Sequence, residues 1–289
     1  MSAAADPTRT TTLRNEFSER LRGIWGRINA QARRDVVDRD VFGLRSDGIQ
    51  AARSPDPVHG LSFETDDRKV ERFRDWLDEQ ARKGRVEVFT RNNNTYVRSA
   101  YGGGVRHADE KLRAQGVDLP EQDLQAMFNR PVHAEQLQSL YTRTLTEWEG
   151  IVSATEQQVA RELSDGLAQG ENPTKIARRI SDRVDKIGKT RATTLARTEV
   201  IRSHSDAALS RYDELGVDEV AGEAEFATAG DERVCPICAS LNGSTYTIKE
   251  ARGLIPVHAR CRCSWLPVVS DTKQLTLNAS ATDIARTAA

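Results

Sequence analysis

All four cysteines of this 289-residue chain lie in its last fifth. Cys235 and Cys238 form one close pair; Cys261 and Cys263 form a second pair, which His258 precedes. Two such clusters separated by a loop are typical of a structural zinc site, because Zn²⁺ takes four tetrahedral nitrogen or sulfur ligands. This segment constrains the fold more strongly than any other part of the sequence.

A tetrahedral site needs only four of these five side chains. On an extended strand, Cys261 and Cys263 would lie more than about 6 Å apart, which fits one tetrahedron poorly unless the backbone bends. The preferred ligand set is therefore Cys235, Cys238, His258 and Cys261, with Cys263 as the fifth candidate. Because four protein ligands leave no open position, we expect the Zn²⁺ to be structural and to stabilise a module with little core of its own.

Two other interpretations of the cysteines stay open. Disulfides require an oxidising compartment, and the N-terminal sequence lacks the apolar stretch of an ordinary signal peptide. A redox-active Cys-x-x-Cys requires a thioredoxin-like strand–helix–strand context, which the pattern does not indicate. The sequence favours the zinc interpretation over both.

Composition excludes several classes of protein. No apolar run approaches the roughly 18 residues of a membrane span, so we expect no membrane partner. Charged residues make up 29% of the chain and the mean hydropathy is -0.60, values that are polar but not those of a fully disordered chain. With 42 basic and 43 acidic residues the formal charge is -1, so any attraction to nucleic acid must come from a local patch.

One local patch carries such an excess of positive charge. Residues 175–202 hold nine basic and three acidic side chains, with no aromatic residue among them. We predict contacts with the DNA backbone there, the alternative being a solvated or protein-facing surface. The candidate residues are Lys175, Arg178, Arg179, Arg183, Lys186 and Lys189.

The first 216 residues predict helices almost throughout, because apolar residues recur at steps of three or four. Asn172 followed by Pro173 predicts a helix start. Gly188 is expected to end that helix, and a last helix is expected from Thr190 to Leu215.

Two features of these helices suggest close packing. The run Gly102-Gly103-Gly104 inside a helical pattern predicts a kink or a close helix contact, since each glycine costs about 1 kcal/mol relative to alanine. His204 lies on an apolar stripe, which predicts a partly buried, hydrogen-bonded histidine and not a fifth ligand.

The pattern changes after Gly216. Short runs rich in aromatic and β-branched residues alternate with turn residues, which predicts a small sheet. The predicted fold class is α+β, with a mainly helical N-terminal region followed by a small zinc-stapled β-rich C-terminal module. The predicted segments are a flexible N-terminus (1–12), an N-terminal helical region (13–130), a long-helix region (131–216), the zinc-binding module (217–269) and a flexible tail (270–289).

A series of short motifs follows in order between residues 190 and 268. They are Ala196-Arg197-Thr198-Glu199, Tyr212 before Gly216, Phe226-Ala227-Thr228, Asp231-Glu232-Arg233-Val234-Cys235, Cys238, Leu241-Asn242-Gly243, Pro256-x-His258 and Cys261-Arg262-Cys263. Together they resemble the minor head, or head morphogenesis, proteins similar to protein F of phage Mu. Ala259 departs from the family pattern, since many members carry proline there.

The resemblance implies a non-enzymatic, low-copy structural protein of a tailed-virus head. It implies a role in head assembly near the portal vertex and a contact with packaged DNA. The expected partners are the portal protein or the major capsid protein, and viral double-stranded DNA, with no small-molecule substrate. The expected location is the head interior of the virion, and the host cytoplasm during assembly.

Four charged side chains of these motifs are candidates for structural roles. Arg197 and Glu199 are expected to form an ion pair that ties the last helix to the zinc module, the alternative being ordinary surface charge. Asp231 and Arg233 lie in the loop before the first cysteine, where a structural role competes with a polar turn and a screened ion pair.

Two other classes of function are kept as alternatives. A zinc-dependent nuclease or toxin-like domain would use His258 in catalysis, but it needs an open metal position and a general base, and no Asp or second His stands beside His258. A DNA-binding adaptor without a capsid role predicts binding that weakens steeply with salt. The sequence contains no glycine-rich phosphate loop, nucleophile elbow or readable pair of acids, so we expect no catalysis.

Overall fold

The computed structural model describes most of the chain. The predicted flexible tail, 270–289, and residues 1–5 of the predicted flexible N-terminus lie outside the described residues. Of the N-terminal residues that are described, Thr8 and Thr10 are buried, and the first helix already begins at Thr11. The described ranges are 6–38, 66–86, 88–89, 93–169, 171–216 and 222–269.

Helices account for most of the described residues, as the apolar periodicity predicts. A six-residue π-helical segment, Arg33–Asp38, follows the first helix. None of the helices in these described ranges combines the length and apolar composition needed to cross a bilayer. Before the sheet the helices are α1 (Thr11–Ala32), α2 (Asp66–Val86), α3 (Thr95–Ala114), α4 (Leu124–Phe128), α5 (Pro131–Ala168) and α6 (Pro173–Leu215).

The chain folds into two compact units built from separate stretches of sequence. The first unit comprises Met1–Phe17, Arg91–Arg143 and Ala196–Ala289, and the second comprises Ser18–Thr90 and Thr144–Leu195. These units cut across the sequence segments 13–130 and 131–216, because each unit takes residues from both.

An aromatic core holds the second unit together. The ring of Trp148 lies 5.6 Å from that of Trp25 and 5.2 Å from that of Phe89. A Cβ atom at Gly188 would come within 2.5 Å of the Trp25 ring. Glycine therefore makes room for an indole here, and the prediction that Gly188 ends a helix is wrong, because α6, 43 residues long, continues through it to Leu215.

Helix α3 crosses α6 closely in the first unit, as the glycine run predicts. A Cβ atom at Gly104 would overlap the carbonyl oxygen of His204 and lie 2.8 Å from the Cβ of Ala207. Gly103, one position earlier, would place its Cβ 3.8 Å from His204 Cδ2, an ordinary contact. Only Gly104 is therefore required by the crossing.

Replacing Gly104 with alanine is expected to destabilise the protein by about 1–3 kcal/mol, since the clash is with backbone that cannot move aside. Gly103→Ala is the matched control, and it should be neutral or stabilising by up to about 1 kcal/mol because alanine favours helix. Urea unfolding of the two variants measures the difference. Equal stabilities would show that the helices do not cross as closely as described.

The predicted small sheet is present, as three antiparallel strands, β1 (Glu223–Ala227), β2 (Thr245–Thr247) and β3 (Ser264–Pro267), in the order β2-β1-β3. Phe226 on β1 faces Trp265 on β3 in the register, and Ala224 pairs with Tyr246 on β2. We refer to residues 222–269 as the cysteine module. Its elements are β1 (Glu223–Ala227), α7 (Pro236–Leu241), β2 (Thr245–Thr247), α8 (Ile248–Ala251) and β3 (Ser264–Pro267).

The cysteine module shares one apolar core with α3 and α6. Phe226 and Trp265 pack in a cluster with Leu112 of α3 and with Leu209 and Tyr212 of α6. The Tyr212 hydroxyl also donates a hydrogen bond to the Trp265 carbonyl at 3.3 Å. These contacts fix the base of the module on two helices, so that its loops present the cysteines from a rigid support.

Candidate metal centre

The first cysteine pair is positioned by the start of α7. Cys235 is the N-cap residue, and its Sγ accepts a hydrogen bond from the backbone N–H of Cys238 at 3.3 Å. Pro236 occupies the first helical position, where a missing N–H costs nothing. The N–H of Cys238 lowers the pKa of the Cys235 thiol, which favours the thiolate form that binds metals.

The second pair lies in a turn and not on a strand. The backbone N–H of Cys261 bonds to the carbonyl of His258 at 3.1 Å, and Arg260 has a left-handed φ of 72°. Strand β3 begins only at Ser264. The Sγ atoms of Cys261 and Cys263 lie within 4.8 Å of each other, so their separation does not prevent them from binding one ion.

The five candidate side chains form two groups that share one member. The ligand atoms of Cys235, Cys238 and His258 lie within 4.8 Å of one another, and so do those of Cys238, Cys261 and Cys263. His258 Nε2 is 3.2 Å from the Cys235 Sγ and 3.3 Å from the Cys238 Sγ. The structure thus brings all five predicted candidates together, with Cys238 at the centre. The four cysteines form no disulfide.

His258 is oriented as a metal ligand. Its Nδ1 lies 2.8 Å from the carbonyl oxygen of Ala259, which can only accept a hydrogen bond. Nδ1 therefore carries the proton, and Nε2 presents its lone pair toward the two sulfurs. Fixing the tautomer through the far ring nitrogen is the usual arrangement of metal-binding histidines.

Asp231 connects the two loops that carry the cysteines. Arg262 donates to both carboxylate oxygens of Asp231, at 2.6 and 2.5 Å, and Arg233 donates to Asp231 at 3.1 Å. The Arg262 guanidinium holds the pKa of Asp231 well below its usual range. Asp231 and Arg233 thus lie in the loop for which the sequence predicts a structural role, and Arg262 is a partner that the sequence pattern does not indicate.

Arg197 and Glu199 do not form the expected ion pair. Residues two apart point to different sides of a helix. Glu199 is buried, and its carboxylate lies 3.5 Å from Arg143 of α5 and 3.6 Å from Arg202 of α6.

Most of the predicted DNA-contact residues make ion pairs within the second unit. Arg179 and Arg183 both bind Glu162 of α5. Lys175 pairs with Glu171 at 2.7 Å, and Lys189 with Asp185 at 2.7 Å. Arg178 and Lys186 are exposed and make no ion pair with a described residue. Two of the acidic partners, Glu162 and Glu171, lie outside residues 175–202. The excess of positive charge on this surface is therefore smaller than the composition of that segment indicates.

A buried ionic network in the first unit has no counterpart in the sequence predictions. Arg211 of α6 is 1% exposed; its Nε donates to Asp109 at 2.7 Å and its Nη1 to Glu214 at 2.7 Å. Glu214 also lies 3.3 Å from Nε2 of His133, whose Nδ1 is 2.8 Å from the Tyr101 hydroxyl. The sequence signal is weak: Arg211 falls in a run of small and apolar residues, 207–212.

His204 is buried as predicted, but it is not hydrogen-bonded within the described residues. Neither of its ring nitrogens has a partner there, and its ring lies 5.1 Å from that of His107. Burial lowers the pKa of His204 to about 3, and the neighbouring His107 contributes to the shift. The imidazole is therefore neutral in the folded protein.

This histidine gives stability a defined pH dependence. The unfolded chain protonates His204 near pH 6.5 and the folded chain only near pH 3, so its contribution is fully present above pH 6.5 and is lost as the pH falls. Asp206 opposes it, because burial raises its pKa to about 6 and its contribution is lost as the pH rises. We expect the unfolding free energy to fall more steeply between pH 7 and pH 4 in the parent than in His204→Leu. An equal fall of the unfolding free energy with pH in the parent and in His204→Leu, measured by urea unfolding, would contradict this.

Residues 157–266 match the model of a family described as Phage Mu protein F like protein. The match begins earlier than the motifs from residue 190, and it contains all of α6 and all five candidate ligands. No curated protein and no solved structure matches the chain. Residues 157–266 are therefore similar to the Phage Mu protein F-like family, as their motifs predicted.

Proposed function

We propose that the chain is a non-enzymatic structural protein of a tailed-virus head and is carried in the virion. The observation that carries this proposal is the match of residues 157–266 to the Phage Mu protein F-like family. We place its action in head assembly near the portal vertex, on the inside of the head, with the portal or major capsid protein as partner. Before assembly it would reside in the host cytoplasm.

We also propose that the cysteine module holds one structural Zn²⁺ ion. Thiolates and a neutral imidazole are ligands that zinc prefers, and their mutual distances in the two groups suit one ion after small adjustments. Cys235, Cys238 and His258 would supply three ligands, and the turn would supply Cys261 or Cys263. The ion would cross-link α7 to the turn before β3.

The donor set also supports a role without catalysis. In the described part of the chain, the two candidate metal groups contain only cysteine and histidine. A hydrolytic metal site needs an open position and a general base, usually a carboxylate or a second histidine. The nuclease alternative therefore draws no support from this centre.

A contact with packaged DNA would rest on fewer residues than the sequence suggests. Arg178 and Lys186 are the two predicted residues that are exposed without an ionic partner among the described residues. We propose that they meet the phosphate backbone, since a pair of free cations adds affinity without reading sequence. Reversing both charges should reduce the salt dependence of DNA binding, whereas reversing Glu171 should not.

Deleting the gene and examining the particles tests the head function. We expect fewer filled heads and a loss of infectivity, restored by the parent gene supplied in trans. The protein should be found in purified virions by mass spectrometry. Particles without it that assemble, package and infect normally would end the proposal.

Native mass spectrometry of the purified chain tests the zinc site, because zinc adds mass and disulfides remove it. One Zn²⁺ with four reduced thiols after acid denaturation is the expected result. Two disulfides without metal would replace the zinc interpretation with an oxidised module.

A further inference from the structure

The positive charges of three arginines of the first unit act on one another. They come from α1 (Arg14), α6 (Arg197) and the turn between the last two cysteines (Arg262). Burial lowers the pKa of Arg14, and the nearby positive charges of Arg197 and Arg262 lower it further. A cluster of like charges in a partly buried site raises the electrostatic free energy of the folded protein unless anions neutralise it.

Two of the three arginines already have a carboxylate. Arg14 is 9% exposed and is bonded to Asp6. Arg262 is 17% exposed and binds Asp231 through both guanidinium nitrogens. Each of these guanidiniums is therefore both covered and neutralised.

Arg197 differs from its two neighbours. Its side chain is half-buried, and it makes no hydrogen bond or ion pair with any residue that the structure describes. The hydroxyl of the next residue, Thr198, is also buried without a described partner. Among the described residues, the cluster thus contains one guanidinium without the carboxylate partner that the other two have.

We propose that Arg197 docks a carboxylate from an acidic segment of a partner protein. Both neighbouring arginines bind aspartate, so the surroundings already suit the planar pairing of guanidinium with carboxylate. A DNA backbone fits this place less well, because it is bound by rows of exposed cations, and Arg14 and Arg262 are covered. The inference does not depend on a role in a virus head.

The test uses the full, metal-loaded chain and a fluorescein-labelled dodecapeptide of alternating glutamate and glycine, followed by anisotropy. We expect Arg197→Gln to weaken binding about tenfold, the loss of one charge-assisted contact. Arg191→Gln removes the same charge from an exposed position of α6 and should change binding less than about twofold. A peptide with glutamine in place of glutamate should not bind. Metal content and melting temperature, equal among the variants, exclude misfolding.

Three results would overturn the proposal. The first is that the parent chain does not bind the acidic peptide, and the second is that both variants weaken it equally. In the third, Arg197→Gln weakens binding of a 20-base-pair DNA duplex but not of the peptide, which would assign Arg197 to phosphate. Arg197→Lys is a further control. Lysine keeps the positive charge but not the planar guanidinium, so this variant should bind the peptide more tightly than Arg197→Gln and more weakly than the parent.

Discussion

Replacing Cys238 with serine is expected to remove the bound metal and to unfold the cysteine module while the helices persist. Cys238 is the only candidate ligand shared by both groups, so its loss breaks both groups at once. Structural zinc contributes roughly 10–16 kcal/mol in small metal-dependent domains, and one of four ligands therefore about 3 kcal/mol or more. Native mass spectrometry measures the metal, and hydrogen exchange in residues 222–269 measures the unfolding.

Cys263→Ser is the matched control for this prediction. It leaves Cys235, Cys238, His258 and Cys261, which is a complete set of four donors. We expect this variant to keep one ion and most of its protection from exchange. If Cys238→Ser retained metal as well as Cys263→Ser does, the shared position of Cys238 would not matter and the described geometry of the centre would be incorrect.

Replacing Arg211 with methionine is expected to cost about 3–5 kcal/mol of unfolding free energy. The substitution keeps much of the side-chain volume but leaves Asp109 without its cation, whereas Glu214 keeps its ion pair with Arg130. Removing one partner of a buried ionic group is strongly destabilising, because the remaining charge stays out of water. Urea unfolding at neutral pH measures the loss.

Two further variants separate this effect from a general loss of charge. Arg178→Met removes an exposed arginine from the same helix and should change stability by no more than about 0.5 kcal/mol. The double variant Arg211→Met with Asp109→Asn should recover part of the loss, since one stranded charge is gone. A loss that is equal in the Arg211 and Arg178 variants would show that the network does not carry stability.

The helices were predictable from the sequence where apolar residues recur along one face of the helix. The stripe does not show what a helix packs against, and Gly188 illustrates the consequence. Glycine next to a helical pattern usually marks an end. Here the Trp25 ring occupies the space of a side chain, and Trp25 is too far away in sequence for any local pattern to indicate it.

The metal centre was predictable in its members but not in its geometry. Spacing identifies the five candidates, since the chemistry of cysteine and histidine is independent of the fold. The turn that brings Cys261 back to His258 depends on the left-handed conformation of Arg260, which propensity does not forecast. The Arg211 network was not predictable, because Asp109 lies 102 residues away.

The contact between Asp231 and Arg262 has a consequence for how the metal would be acquired. These residues are 31 apart, and Cys235, Cys238, His258 and Cys261 all lie between them. An ion pair at the two ends closes this stretch of chain into a loop before any ion arrives, so the loop-closure entropy is already lost. Metal would then have to order only the chain between these two residues, at a smaller loss of conformational entropy than in an open chain.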